Sequence, residues 1–121
     1  LLRAADRPTA VLALSDNRAK EVAAIALAAG LRIPTDLAVV GYYNTPWVAH
    51  LAVPLSSVSI CEETIAELTV RWLAGELPTE QTRSGRIIVP PELVVRDSCG
   101  GHRDSADPEP GPLLIKEEYP G

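Results

Sequence analysis

The arrangement of apolar and polar residues along the first third of the chain predicts a strand followed by a helix. Residues 10–14 (AVLAL) are a continuous apolar run, and the polar residues 15–17 (SDN) that follow them are common helix N-caps. Apolar residues then recur at helical spacing over 17–29. Gly30 occupies the position of a left-handed C-cap residue, and Leu31 that of the Schellman contact. We therefore predict a strand over 10–14 and a helix over 17–29.

A second apolar run, at 37–40, completes a strand–helix–strand unit. A turn containing Pro34 leads into this run, which has the length of a buried strand. Near-continuous apolar strands joined by a helix indicate a parallel sheet that is covered on both faces. The sequence therefore predicts an α/β fold built on a doubly wound parallel sheet, in which ligands bind beyond the carboxyl ends of the strands.

The middle of the chain carries weaker signals of the same kind. Residues 55–60 (LSSVSI) suit a short extended segment. Ser59 and Glu62 have the spacing of a capping box, which predicts that a helix begins between them. Trp72 falls on the apolar face of that helix and is expected to be a core residue.

Two more short strands are predicted at 86–89 and 93–96, on either side of a pair of prolines that cannot sit in a central ladder. Beyond Cys99 the composition changes to Gly and Pro with little to bury, which predicts a disordered tail at 100–121. The chain is accordingly divided into one domain at 1–99 and this tail.

The charge of the chain argues against direct binding of nucleic acid. The formal net charge is −5, and no basic patch could neutralise several phosphates. No segment approaches the roughly 18 apolar residues of a membrane span. Cys61 and Cys99 lack metal-ligand spacing and are expected to be reduced thiols in a cytosolic protein. No metal or cofactor is expected, and the chain, which begins without Met, is expected to be part of something longer.

Candidate binding groups fall at the ends of the first two strands, at Ser15, Asp16, Tyr43 and Asn44. Their hydroxyl, carboxylate and amide groups offer donors and acceptors for the hydroxyls of a neutral polyol. The turn after the first strand has no glycine and carries a carboxylate, which disfavours a nucleotide phosphate. No nucleophile elbow accompanies the serines and histidines, so the protein is not expected to be an enzyme. An open alternative is that Asp16 caps its helix, which would not exclude ligand contact.

Four segments together carry a family resemblance. They are the strand, polar-Asp turn and helix beginning at LALSDN, then GLRIPTDLAVVGY, a loop ending in PLSSV, and PPELVVRDS. Their order over residues 8–99 resembles the C-terminal part of the effector-binding domain of LacI/GalR-type transcriptional regulators. The resemblance implies a type I periplasmic-binding-protein-like fold, represented here mainly by its C-terminal subdomain. It also implies that residues 60–75 pack in the N-terminal subdomain.

The resemblance also implies roles for single residues. In that family the position before the Asp of the first turn contacts the effector, and it falls on Ser15, with Asp16 beside it. The usual sugar-binding carboxylate falls on Tyr43, with Asn44 following, so an aromatic side chain replaces an acidic one. Tyr43 could stack on a sugar ring, donate through its hydroxyl or fill the cleft. Ile60 stands where the family often has Gln.

The loop after Tyr43 corresponds to part of the dimer interface in that family. The contacting positions fall on Trp47, His50 and Leu51. An exposed Trp at the centre of an interface is a typical binding hot spot. The alternative is that Trp47 packs under its own loop.

Together these features predict the ligand-sensing and dimerisation portion of a cytoplasmic bacterial transcriptional regulator. Its effector is expected to be small and polar, a sugar or related polyol. The protein is expected to be a homodimer, to have no membrane contact, and to reach DNA only through a DNA-binding domain absent from this chain. Two alternatives stay open: a sugar-binding component of a transporter, and a sensor domain fused to a GntR-type or AraC-type DNA-binding domain.

Overall fold

The computed structural model describes residues 7–77 and 87–101, and these fall into two compact units. The first unit contains the described residues up to Ser59 together with those from Leu93 onward. The second contains the described residues between Ile60 and Glu92. Nearly all of the tail predicted at 100–121 lies outside the described residues.

Four strands and two helices form the framework. In chain order they are β1 (Ala10–Leu12), α1 (Asp16–Ala28), β2 (Ala38–Tyr42), β3 (Ser56–Ser59), α2 (Glu62–Leu73) and β4 (Glu92–Val94), with 3₁₀ turns at Pro46–His50 and Asp97–Cys99. The strand order is β1-β2-β3-β4, and β2 pairs in parallel with both β1 and β3. The strands predicted at 10–14 and 37–40, the helix at 17–29 and the parallel sheet are thereby confirmed, and β4 is offset from the predicted 93–96.

Helix α1 ends as its sequence predicts. Gly30 has a φ of 81°, in the left-handed region that favours glycine. The backbone N of Gly30 donates to the carbonyl of Leu27, and that of Leu31 donates to the carbonyl of Ala26, each at 3.0 Å. This pair of bonds is the Schellman motif, and Leu31 packs against the core as the motif requires.

Small aliphatic side chains build the core between α1 and the sheet. Its buried members are Ala13, Ala19, Ala26, Leu37, Val39, Val48 and Leu55. Helix α1 contributes mainly alanines, so helix and sheet can approach closely. Ile25 shares the helical spacing of the apolar positions but is 61% exposed, so the buried stripe of α1 is narrower than its sequence pattern.

The second unit corrects three predictions. Residues 87–89 are not a strand, because the two prolines that follow cannot donate ladder hydrogen bonds; residue 86 lies outside the described part. The N-cap of α2 is Cys61, with a φ of 56°, so Ser59 is too far upstream to form the predicted capping box. Trp72 is 51% exposed rather than core, and Leu68 is the buried residue of α2.

Two further sequence expectations concern the cysteines and the membrane. Cys61 and Cys99 are not joined by a disulfide, in agreement with the prediction. Neither of the two described helices is long and apolar enough to cross a membrane.

Candidate functional site

The parallel pairing of β1 and β2 brings Ser15 and Tyr43 to the same edge of the sheet. Leu12 is paired with Val40, so the segments that follow the two strands leave the sheet in the same direction. Ser15 is half-buried and is the N-cap of α1, where its hydroxyl accepts from the backbone N of Arg18 at 3.4 Å. The capping role that the sequence left open for Asp16 therefore belongs to Ser15.

Asp16 lies beneath the loop that follows β2 and is only 1% exposed. Its Oδ2 accepts hydrogen bonds from the backbone N and the Oγ1 of Thr45, both at 2.7 Å. Its Oδ1 accepts from the Oγ of Ser57 at 2.6 Å. The carboxylate thus connects the first turn of α1 to the loop after β2 and to strand β3, and all three donors are uncharged groups.

Gly41 makes room for this carboxylate. A Cβ at position 41 would overlap Asp16 Oδ1, and it would also lie 3.2 Å from the Cδ2 of Leu55. Overpacking of this kind destabilises a well-packed core. The glycine near the end of β2 and the buried aspartate are therefore parts of one arrangement.

Tyr43 and Asn44 adopt unusual backbone conformations at the end of β2. Their φ angles are 97° and 52°, a region that side-chain-bearing residues rarely occupy. The backbone N of Tyr43 donates to the carbonyl of Val58 at 2.8 Å. The ring of Tyr43 makes an edge-on contact with Tyr42, with 5.1 Å between centroids, and the residue remains 46% exposed. An aromatic surface is thereby presented at the edge of the sheet formed by the carboxyl ends of β1 and β2.

Asn44 is held by the protein on both its backbone and its side chain. Its backbone N donates to the Oγ of Ser57 at 2.9 Å. Its Oδ1 accepts from the guanidinium of Arg96 at 2.8 Å. The amide predicted to contact an effector is therefore already paired through its oxygen.

Buried serines tie strands β2 and β3 to the segment at 96–98, and they are not among the residues predicted above. The backbone N of Ser56 donates to the Oγ of Ser98 at 2.8 Å, and that hydroxyl donates to the carbonyl of Val39 at 2.6 Å. The backbone N of Arg96 donates to the Oγ of Ser56 at 2.8 Å. A pair of adjacent serines inside a strand with apolar neighbours was the available signal, because buried hydroxyls need partners.

The three residues expected at a dimer interface lie in and just after the 3₁₀ turn Pro46–His50. Trp47 is half-buried and packs against the core, and the Nζ of Lys20 lies 5.3 Å from its ring centroid. Leu51 also packs against the core, whereas His50 is exposed. Part of the Trp47 surface therefore packs within its own unit.

One remaining position, Ile60, adds little to the site. Ile60 follows β3 and belongs to the second unit. Within residues 7–77 and 87–101, no group of three or more His, Cys, Asp or Glu is arranged to hold a metal ion.

Comparison with known proteins gives a consistent family. The model of the periplasmic binding protein-like domain matches residues 1–99. The HTH-type transcriptional repressor PurR of Mannheimia succiniciproducens is 32% identical over 98 residues, which are 81% of this chain and 29% of that protein. The lactose operon repressor of Rhizobium radiobacter is 36% identical over 93 residues, 77% of this chain and 81% of that protein. The chain therefore spans less than a third of the PurR relative.

Solved structures agree with the sequence relatives. A LacI family transcriptional regulator from Arthrobacter sp. FB24, solved in complex with lactose, is similar with a TM-score of 0.64 and 29% identity. The match covers 80% of this chain and 37% of that regulator's chain. A regulatory protein of the LacI family from Chloroflexus aggregans has a TM-score of 0.60 at 39% identity, covering 79% and 34%. These likenesses confirm the predicted α/β, periplasmic-binding-protein-like fold class.

Proposed function

Because the chain belongs to the periplasmic binding protein-like domain family, in the form carried by LacI-type transcriptional regulators, we propose that it is the ligand-sensing part of a bacterial transcriptional regulator. The effector is a small polar molecule, a sugar or related polyol. The observation that carries this proposal is that Ser15 and the exposed aromatic residue Tyr43 lie at one edge of the sheet. Among the described residues, every buried side-chain nitrogen and oxygen has a hydrogen-bond partner, so the surrounding frame is fixed. The lactose-bound relative supports the choice of ligand class.

Direct contact with the effector is assigned to Ser15 and Tyr43. Both lie at the carboxyl ends of parallel strands, where ligands bind in open α/β sheets. The Tyr43 ring offers a face for stacking on a sugar and a hydroxyl for hydrogen bonding. Asp16 and Asn44, predicted from the resemblance as contacts, act beneath this surface, since Asp16 is buried and the Asn44 side-chain oxygen is already bonded.

Signal transmission is proposed to run through a homodimer. Effector binding would shift the population between two arrangements of the domain, and the change would be read at the loop containing Trp47, His50 and Leu51. DNA would be contacted by a separate DNA-binding domain, in the cytoplasm. The support is the family of the relatives, which are transcriptional repressors rather than enzymes.

The proposal is tested by titrating the full chain with glucose, sucrose and lactose in a calorimeter. Binding of at least one sugar is expected, and Tyr43→Ala is expected to weaken it by about 1–3 kcal/mol, the scale of a lost stacking or hydrogen-bond partner. Arg18→Ala, on the exposed surface of α1, is the matched control and should bind as the parent does. Equal affinity of Tyr43→Ala and the parent would refute the site.

A further inference from the structure

The hydrogen bonds of Asp16 leave it little capacity for a ligand. An ionised carboxylate has about four acceptor sites, and donors from Thr45 and Ser57 already use three of them here. The residue is 1% exposed, so an effector hydroxyl could reach it only if the loop above moved away. The role of Asp16 therefore lies in the protein groups that donate to its carboxylate.

The Thr45 groups belong to the loop after β2, in which two residues have left-handed backbone conformations. Tyr43 and Asn44 have positive φ values, and such conformations persist when the surrounding structure fixes them. The amide of Thr45 is fixed by Asp16 directly. The amide of Asn44 is fixed by Ser57 Oγ, and that hydroxyl in turn donates to Asp16. Two consecutive amides of the loop therefore depend on one carboxylate.

We infer that Asp16 is a positioning residue, which holds the Tyr43–Thr45 loop in the conformation that presents the Tyr43 ring. The use of that ring as a ligand surface rests on the proposed function, but the order of the loop can be measured without any ligand. Ser57 is the second residue of this hydrogen-bond network, because its hydroxyl joins the Asn44 amide to the Asp16 carboxylate. Thr45 is the third and contributes both its amide and its hydroxyl.

The substitution that tests the idea is Asp16→Asn, which keeps the size of the side chain and replaces one acceptor by a donor. An amide NH₂ at the Oδ2 position would face the backbone N of Thr45, which cannot accept, and at the Oδ1 position it would force the Ser57 hydroxyl to accept instead of donate. In either case the charge-assisted bonds to the carboxylate are lost or replaced by weaker neutral ones. Ser57→Ala removes the link to Asn44 while leaving the carboxylate in place. Asp36→Asn is the matched control, because it also neutralises an aspartate of the same unit, in a turn that precedes β2.

Amide hydrogen exchange of the full chain, followed by NMR, gives the readout. Exchange at Asn44 and Thr45 is expected to become at least tenfold faster in Asp16→Asn. The amides of Ala13 and Ala38, which bond between β1 and β2 and their neighbours, should keep their rates. Ser57→Ala should accelerate hydrogen exchange at the Asn44 amide. Asp36→Asn should change the exchange rate of neither Asn44 nor Thr45.

Two outcomes would overturn the inference. In one, all amides of the unit accelerate together, which would make Asp16 a general stabiliser of the fold. In the other, the loop amides of Asp16→Asn exchange at the parental rate. If Asp16→Asn fails to fold, Thr45→Val replaces it, since this variant loses only the hydroxyl bond to Asp16 and should accelerate the Thr45 amide alone.

A titration with lactose separates this inference from the proposed function. If the parent binds lactose, Asp16→Asn should lower the affinity at least tenfold, and the Asp36→Asn control should not. If no variant and no parent binds lactose, glucose or sucrose while the loop amides respond as expected, the positioning role stands and the proposed ligand class fails. Unchanged lactose affinity in Asp16→Asn, with a loosened loop, would show that the loop conformation does not matter for binding and would overturn the link between them.

Discussion

The guanidinium of Arg96 donates a 2.8 Å hydrogen bond to Asn44 Oδ1 across 52 positions of the chain. The other terminal nitrogen of the same group donates to the carbonyl of Leu55, also at 2.8 Å. One planar side chain thus ties the loop after β2 to the start of β3. Arginine is suited to this task because its donors have a fixed geometry, whereas lysine offers a single ammonium.

Replacement of Arg96 by lysine should therefore lower the free energy of unfolding by about 1–2 kcal/mol, because one of the two acceptors loses its partner. Urea denaturation of the full chain measures the change. Arg18→Lys is the matched control at an exposed ion pair with Glu21 and should change the stability by less than about 0.5 kcal/mol. Equal effects at the two positions would contradict the bridging role.

Gly41→Ala should destabilise the protein by about 3 kcal/mol, since the new methyl group overlaps the buried carboxylate of Asp16. Thermal or urea unfolding gives the value. In a double-mutant cycle with Asp16→Ala, the two costs should sum to more than the cost of the double variant, by about 1 kcal/mol or more. Simple additivity would show that the carboxylate is not what excludes a side chain at position 41.

Tyr43→Gly should be at least as stable as Tyr43→Ala, although glycine usually loses more entropy on folding. The reason is the φ of 97°, which glycine adopts without steric cost and alanine does not. The two variants lack the same ring, so their difference reports the backbone alone. A Tyr43→Gly variant that unfolds at lower urea concentration than Tyr43→Ala would mean that the positive φ carries no strain.

The proposed dimer is tested at two positions with different surroundings. Trp47→Ala should weaken association by about 2 kcal/mol if the residue is a hot spot, and it should also lower stability because Trp47 packs against the core. His50→Ala removes an exposed side chain and should weaken association without lowering stability. Sedimentation equilibrium measures association, and urea denaturation measures stability. Parental association of His50→Ala and Trp47→Ala would exclude this loop as the interface.

Asp36 should make stability depend on acid pH. The pKa of Asp36 lies well below its ordinary value of 3.8. The main cause is the hydrogen bond from the Arg32 side chain, and the bond from the Arg32 backbone contributes less. A depressed folded pKa contributes stability that is fully present above about pH 4 and is lost as the pH falls below it. The urea midpoint of the parent should therefore drop more between pH 6 and pH 3 than that of Asp36→Asn. Parallel curves would contradict this origin of the pH dependence.

Elements with strong local patterns could be predicted from the sequence, and long-range polar contacts could not. The sequence predicts helix α1 over 17–29, close to its observed span Asp16–Ala28, because its cap, its spacing and Gly30 all act locally. The burial of Asp16 depends on Thr45 and Ser57, which are 29 and 41 positions away. No local pattern distinguishes such an aspartate from one that meets solvent or ligand.

The same limit explains the errors in the second unit. Ser59 and Glu62 have capping-box spacing, but the left-handed turn at Cys61 starts the helix later than the spacing implies. Trp72 has the right position on α2 for a core residue, yet exposure depends on what packs against the helix, and a single sequence does not contain that information.

The buried hydroxyls of β3 have a consequence for the order of folding. The Ser57 hydroxyl finds its partner, Asp16, 41 positions earlier in the chain. The Ser56 hydroxyl bonds to the backbone of Arg96, 40 positions later. Until both distant segments arrive, the strand would bury polar groups without partners, which costs more than leaving them in water. We therefore expect strand β3 to join the sheet only when both distant segments close around it, because contacts of such long range slow folding.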